Sequence, residues 1–297
     1  MPSAAAFDLS AYWAAWRAAI DETLDRLCPA SHPAVLWESM RYSLQAGGKR
    51  IRPLLTLATI EALGGEPKAA LPAACAVEFV HTQSLIHDDL PAMDNDDLRR
   101  GKPTNHKVYG EAQAILAGDA MLALAFALLS HELAAAYGAE RCLAAVRELA
   151  EATVDMVAGQ VVDMASEGRD VTADQLDYIH RHKTGALIRA SVRLGAILGA
   201  ASPERAAALD RFAEALGLAF QIADDIQDAT CSAEELGKTP GKDQAAGKAT
   251  YVALYGLAAA RERLAATTSS AIAAIAEWGP EAEPLRAIAR FVGDSAA

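Results

Sequence analysis

LPAACAVEFVHTQSLIHDDLPAMD, residues 71–94, decides how this 297-residue chain reads. Its body is almost wholly apolar and shows no alternation of polar and apolar residues, so it predicts a buried helix near residues 67–88 rather than a strand. The helix runs straight into Asp88 and Asp89, and Asp94 follows six residues after the first. Asp is disfavoured at a helix C-terminus, where the macrodipole is negative. Taken alone, a buried helix that ends in acids suits a site and a solvated cap equally; a second cluster of the same form would favour the site.

Working outward, apolar residues recur at helical spacing along most of the chain. The expected helices lie near 9–27, 33–46, 51–63, 67–88, 107–135, 139–166, 172–200, 204–229, 247–277 and 281–292, separated by punctuation such as Gly47-Gly48 and Gly64-Gly65. Gly 20, Pro 12 and 6% aromatics are sparse, and the long Ala, Leu, Arg and Glu stretches favour helix. An all-α bundle with a central cavity, one domain over residues 1–297, is the expectation. A hydrophobic fraction of 52% beside 22% charged residues excludes a disordered chain.

Residues 1–20 lack a basic leader, and the apolar run 120–129 is too short to span a bilayer, so it reads as a buried core helix. Four scattered cysteines without a C-x-x-C pair signal neither zinc nor redox chemistry and suit reduced thiols in the cytosol. A net charge of -12 argues against a nucleic-acid or anionic-membrane surface. Any polyanion must bind locally.

A second acidic cluster stands in AFQIADDIQD, where Asp224, Asp225 and Asp228 follow another apolar segment and Asp224 shares a helix face with Asp228. Two carboxylates ~5 Å apart at an effective dielectric of ~20 repel by roughly 3 kcal/mol, so something cationic must compensate. Hard oxygen ligands that leave positions for phosphate oxygens suit Mg²⁺. Basic residues are clustered too: Lys49, Arg50 and Arg52 in GGKRIRP, and Arg99, Arg100 and Lys102 in DLRRGKP. Arg forks grip phosphate oxygens, and Lys adds a point charge.

No Gly-Lys step has the spacing of a P-loop, which removes a nucleotide-hydrolysing reading. Glu78-Phe79-Val80-His81 matches one Glu-x-x-His unit of a di-iron bundle, but no second unit exists. His81 lies seven residues before Asp88 and faces the same way, a polar contact for the cavity. The loop 231–248 carries several glycines with Lys238, Lys242 and Lys248, a composition suited to an anion-touching flap.

Taken together, LQAGGKRIRP, HTQSLIHDDLPAMDNDDLRRGKPTNH, GEAQAILAGDAML, IHRHKTGALIRA, LAFQIADDIQD and GKTPGKDQAAGKATY resemble the trans-isoprenyl diphosphate synthases, and among them the short bacterial farnesyl diphosphate synthases, over nearly the whole chain. The resemblance implies that Asp88, Asp89, Asp94, Asp224, Asp225 and Asp228 hold about three Mg²⁺ ions around an allylic diphosphate. Arg99, Lys183, Lys238 and Lys248 would complete that diphosphate's shell. Lys49, Arg52, His81 and Arg100 would bind isopentenyl diphosphate, while Thr184 and Gln221 would face the developing allylic cation. It also implies a cytoplasmic homodimer that needs no nucleic acid and no membrane span.

A terpene cyclase shares the expected fold but typically lacks paired GGKR and LRRG sites, and a non-catalytic subunit usually has a damaged Asp motif. Gln83 stands where many short bacterial farnesyl synthases place an aromatic residue. It lies five residues before Asp88, ~7.5 Å up the helix. Farnesyl diphosphate is the expected product, and geranylgeranyl diphosphate is the alternative that a lost aromatic floor would allow.

Overall fold

The computed structural model describes residues 7–231 and 250–296. Lys238 and Lys248, and nearly all of the expected flap, lie outside the described residues. The helices are α1 (Leu9–Leu27), α2 (Ala34–Leu44), α3 (Ile51–Ala62), α4 (Leu71–Asp88), α5 (Asn105–Tyr109), α6 (Glu111–His131), α7 (Ala134–Ser166) and α8 (Ala173–Ile179). After a π-helical turn, His180–Thr184, come α9 (Gly185–Leu198), α10 (Pro203–Thr230), α11 (Tyr251–Tyr255), α12 (Leu257–Ala274) and α13 (Glu283–Asp294). The all-α bundle expected from the sequence is the architecture found.

α4 is buried on every side, from Pro72 through Phe79 and Val80 to Ile86, as befits a helix apolar all round. It joins α6 and α1 in one core cluster, while α3, α9, α10 and α13 supply most of a second. Burying such helices removes several side chains each from water, at roughly 1.5–3 kcal/mol per large apolar residue. Local signals set the ends: Asp8 caps α1 by accepting from Ala11 N, and Ser202 caps α10 with Pro203 in its first turn.

Four local expectations change. The helix expected over 107–135 is preceded by α5 and interrupted at Gly110, and the one expected over 247–277 is broken at Gly256. Both glycines take left-handed φ, 85° and 82°, which an L side chain resists. The helix expected over 172–200 is interrupted by the π turn. Residues Leu98–Arg99 (β1) and Lys102–Pro103 (β2) pair antiparallel in a small hairpin, with Arg100 and Gly101 at its corner, both at positive φ.

The run 120–129 is only in part a buried core helix: Met121, Ala125, Leu128 and Leu129 are buried, Leu122, Leu124 and Phe126 are half-buried, and Ala123 is exposed. By length and composition α6 could cross a membrane, yet Ala114, Ala117 and Met121 belong to the same core cluster as α4.

Candidate active site

Two segments of unlike structure supply the acids. Asp88 closes α4, Asp89 caps it, and the chain turns back on itself, with Asp94 N donating to Asp88 O at 2.8 Å. Asp224, Asp225 and Asp228 instead sit inside α10, which continues to Thr230. Within each Asp-Asp step the two residues differ. Asp88 and Asp224 are partly exposed; Asp89 and Asp225 are buried.

Burial pushes the Asp88 carboxyl up to about 6; Lys183 opposes the rise, while Asp94 and Asp89 add to it. Arg99 opposes the rise too, so burial and the neighbouring acids together outweigh both cations. Burial raises Asp89 as well, against the pull of Arg99. Asp89 Oδ1 accepts from Arg99 Nε at 3.0 Å and Nη2 at 2.5 Å, and the same guanidinium reaches Asp96 at 3.3 Å. The hairpin returns Arg99 to the end of α4.

The second basic group meets in a cavity of about 920 Å³ lined by Lys49, Arg52, His81, Arg100, Asp224 and Phe220, among others. Its basic side chains come from three separate stretches of sequence: GGKRIRP, α4 and the hairpin. Arg100 donates to Gly47 O across the cavity rim. Gly48 takes φ 123°, which an L side chain resists, and a Cβ there would stand 2.6 Å from Arg100 Cζ, so the guanidinium would have to move as well. Lys49 is braced from the chain's two ends: Trp13 Nε1 donates to Lys49 O at 2.7 Å, and the ammonium lies 5.6 Å from the Phe291 ring.

Arg52 has a buried Nε with no hydrogen-bond partner among the described residues. Burial lowers its pKa to about 10, and Arg100 adds to the fall while Glu78 and Asp224 oppose it. It stays protonated at neutral pH. Burial and the surrounding arginines hold His81 well below the ordinary imidazole range, so it is neutral and can donate one N–H without adding charge. A pocket with clustered cations and a buried guanidinium nitrogen without a partner among the described residues suits a polyanion.

Arg50, between Lys49 and Arg52, behaves differently. It donates to Glu78 at 2.8 Å, Asp21 at 2.8 Å and Leu44 O at 2.6 Å, and is buried. Of the three cations in GGKRIRP it is the internal strut. Glu78 is thereby committed to a guanidinium, which leaves the Glu78/His81 unit unsuited to iron. Lys102 is exposed and belongs to the outer surface of the hairpin.

The π turn places Lys183 and Thr184. Gly159 of α7 lies beneath it so tightly that a Cβ would come 2.2 Å from Lys183 N. Lys183 Nζ donates to Asp163 at 2.6 Å, and Thr184 Oγ1 donates to Gln221 Oε1 at 2.6 Å. Gln221 Nε2 in turn donates to Asp225 Oδ1 at 2.9 Å. Nothing in the sequence singles out Asp163, Trp13 or Phe291. Asp163 is one acid on a long helix, and its partner comes 20 residues later across a turn, a spacing with no local signature.

The donors at the acidic clusters are all oxygens, and the partly exposed, raised carboxyl of Asp88 fits a hard divalent cation such as Mg²⁺. Among the described residues no three acid or imidazole side chains converge as a cage of their own.

A helical bundle with an acid-rich mouth and a neighbouring polyanion cavity defines a class of enzymes, and comparison supplies the family. Residues 33–277 match the family model for polyprenyl synthetase. The chain is 50% identical to a chloroplastic geranylgeranyl pyrophosphate synthase of Catharanthus roseus over 98% of its own length and 82% of that protein's. It is 55% identical to a farnesyl diphosphate synthase of Geobacillus stearothermophilus over 78% of this chain and 79% of that one. A crystal structure of an FPP/GFPP synthase from Zymomonas mobilis superposes with a TM-score of 0.87 at 39% identity, covering 96% and 98% of the two chains. The chain belongs to the polyprenyl synthetase family and is a prenyltransferase.

Proposed function

We propose that this enzyme joins an allylic diphosphate head-to-tail to isopentenyl diphosphate. The observation that carries the reading is the cavity in which Lys49, Arg52, His81 and Arg100 converge from three segments beside Asp224. Isopentenyl diphosphate would lie there, its phosphates gripped by Arg52 and Arg100 and its uncharged end against Phe220. The allylic diphosphate would lie between the two acidic motifs, with Arg99 and Lys183 on its oxygens and Lys238 and Lys248 as further partners.

Asp88, Asp94, Asp224 and Asp228 are the ligands we assign to Mg²⁺; Asp89 stays with Arg99. Held there, the ion would supply positive charge to offset that of a departing diphosphate. The allylic C–O bond breaks with its electron pair leaving on diphosphate, and the double bond of isopentenyl diphosphate attacks the carbon left behind. Loss of a proton to the departed diphosphate then restores a double bond. Thr184 and Gln221 turn oxygens towards the electron-poor carbon, and the apolar walls of α4 and α6 keep water from capturing it.

Incubation with Mg²⁺, isopentenyl diphosphate and geranyl diphosphate tests the reading. A longer prenyl diphosphate plus one diphosphate per condensation is the expected result, and cyclic hydrocarbon or no condensation would overturn it.

Farnesyl diphosphate is the product we propose, supported by the likeness to the Geobacillus enzyme. One observation favours the geranylgeranyl reading: Gln83 is buried, and its amide is tied back along its own helix to His87 Nδ1 at 3.0 Å. A side chain held that way leaves more of the tail's path open than an aromatic ring would. For the homodimer, support comes from α7, where Val154, Val157 and Val161 form an outer stripe, each more than half exposed.

A further inference from the structure

We infer that Asp225, although it stands inside the second acidic motif, is a positioning residue for Gln221 and Thr184 rather than a metal ligand. The inference rests on the prenyl-transfer reading above and refines who does what within that site. Asp225 is 4% exposed, whereas Asp224 lines the cavity. Both oxygens of Asp225 are engaged by the protein. Oδ1 accepts from Gln221 Nε2 at 2.9 Å, and Oδ2 accepts from Tyr251 N at 2.8 Å, with His180 Nε2 3.6 Å away.

The consequence for Gln221 is orientation. A primary amide can present either end, and an acceptor-only carboxylate fixed at one side forces its NH₂ towards Asp225. Its Oε1 must then face Thr184, whose hydroxyl donates to it at 2.6 Å. The polar row thus runs from Tyr251 N through Asp225 and Gln221 to Thr184. It ties α10, the start of α11 and the π turn into one unit. The His180 ring, stacked on Tyr251 at 5.2 Å, closes the carboxylate off from the far side. Turning Asp225 outward to a cation would break the bonds to Gln221 and Tyr251 together and leave buried donors unmet.

The test separates ligation from positioning. Asp224→Asn and Asp225→Asn are compared by the melting shift that Mg²⁺ plus inorganic pyrophosphate produces, and by kcat and KM. Asp224→Asn should lose most of the shift. Asp225→Asn should keep it to within about 1 °C while kcat falls roughly 10- to 100-fold at near-constant KM.

A double-mutant cycle with Gln221→Met adds a readout that general loosening would not give. Once Gln221 is gone, Asp225→Asn should change kcat by less than about threefold. Tyr251→Pro is the second variant. It removes the N–H at the first position of α11, where proline is tolerated, together with the ring, and should lower kcat with the melting shift intact. Loss of the shift in Asp225→Asn equal to that in Asp224→Asn would overturn the inference, as would independent effects in the cycle or wild-type kcat in Asp225→Asn. A wild type that shows the shift yet condenses no prenyl substrates would instead overturn the function, leaving the ligand comparison standing.

Discussion

The two acidic motifs have nearly the same letters and opposite settings. The first lies where a buried helix stops, and the chain folds back within a dozen residues to bring its own arginine: Arg99 reaches Asp89 at 2.5 Å. The second lies within the last two turns of α10, and apart from Gln221 of the same helix the groups that meet it come from afar. Arg52 arrives from α3 across the shared cavity, and Tyr251 N from the start of α11. A motif at a helix end can supply its own counter-charges, whereas a motif inside a helix must borrow them from other elements. In both, the first Asp is the partly exposed one and the second is spent on a protein partner.

The comparison breaks most sharply under substitution of a first Asp. Asp88→Ala and Asp224→Ala are each expected to lower turnover by at least about 100-fold, and the unliganded melting temperature of Asp88→Ala should not fall. Steady-state kinetics beside thermal melts checks it, and near-wild-type turnover in either variant would remove that motif from the site.

Next in size is the cavity shared by the basic groups. Arg52→Ala or Arg100→Ala should raise KM for isopentenyl diphosphate about 10- to 100-fold, the worth of a charge-assisted hydrogen bond, and change kcat much less. An equal rise in KM for the allylic substrate would mean that the two diphosphates are not separated as assigned.

The Asp88 carboxyl offers a smaller, pH-dependent test. Its folded-state pKa lies above the ordinary carboxyl value, so the protonated form is favoured by folding. That contribution is complete below about pH 4 and is lost as pH rises through about 6. Unliganded Asp88→Asn should therefore gain on the wild type between those values, by roughly 1–3 kcal/mol at pH 7. Urea denaturation at pH 4.5 and 7.5 measures it; a gap that does not widen with pH would contradict the crowded setting of the first motif.

The smallest effect concerns product length. Gln83→Tyr should leave total turnover within a few-fold and shorten the product mixture, read by chromatography with excess isopentenyl diphosphate. An unchanged mixture would mean that α4 does not form the floor of the tail pocket.

What the sequence made legible follows the same division. The helical bundle could be read because apolar periodicity is local, and Asp88, Asp94, Arg99 and Arg100 could be found because they fall within a few turns of one another. The unequal roles of neighbours could not. Nothing in GGKRIRP says that Lys49 and Arg52 offer their side chains to a cavity while that of Arg50 is bound inward, since Glu78 and Asp21 become its partners only once α1, α3 and α4 are packed. Likewise Asp163 is one acid on a long helix until the π turn brings Lys183 onto it. The hairpin at Arg100-Gly101 was hidden because each of its strands spans only two residues, too few for any alternation to show.

The account's central claim is that the two motifs, so differently built, hold one diphosphate between them. Melting curves of wild type, Asp88→Ala, Asp224→Ala and the double variant, each with and without Mg²⁺ and pyrophosphate, test it directly. Ligand at about 100 times its dissociation constant stabilises by roughly 2.7 kcal/mol, a shift of several degrees for a chain of this size. The account predicts that either substitution alone abolishes the shift and that the double variant loses nothing more. Single variants that each retain about half of it, with only the double variant losing all, would show two independent sites and contradict the claim.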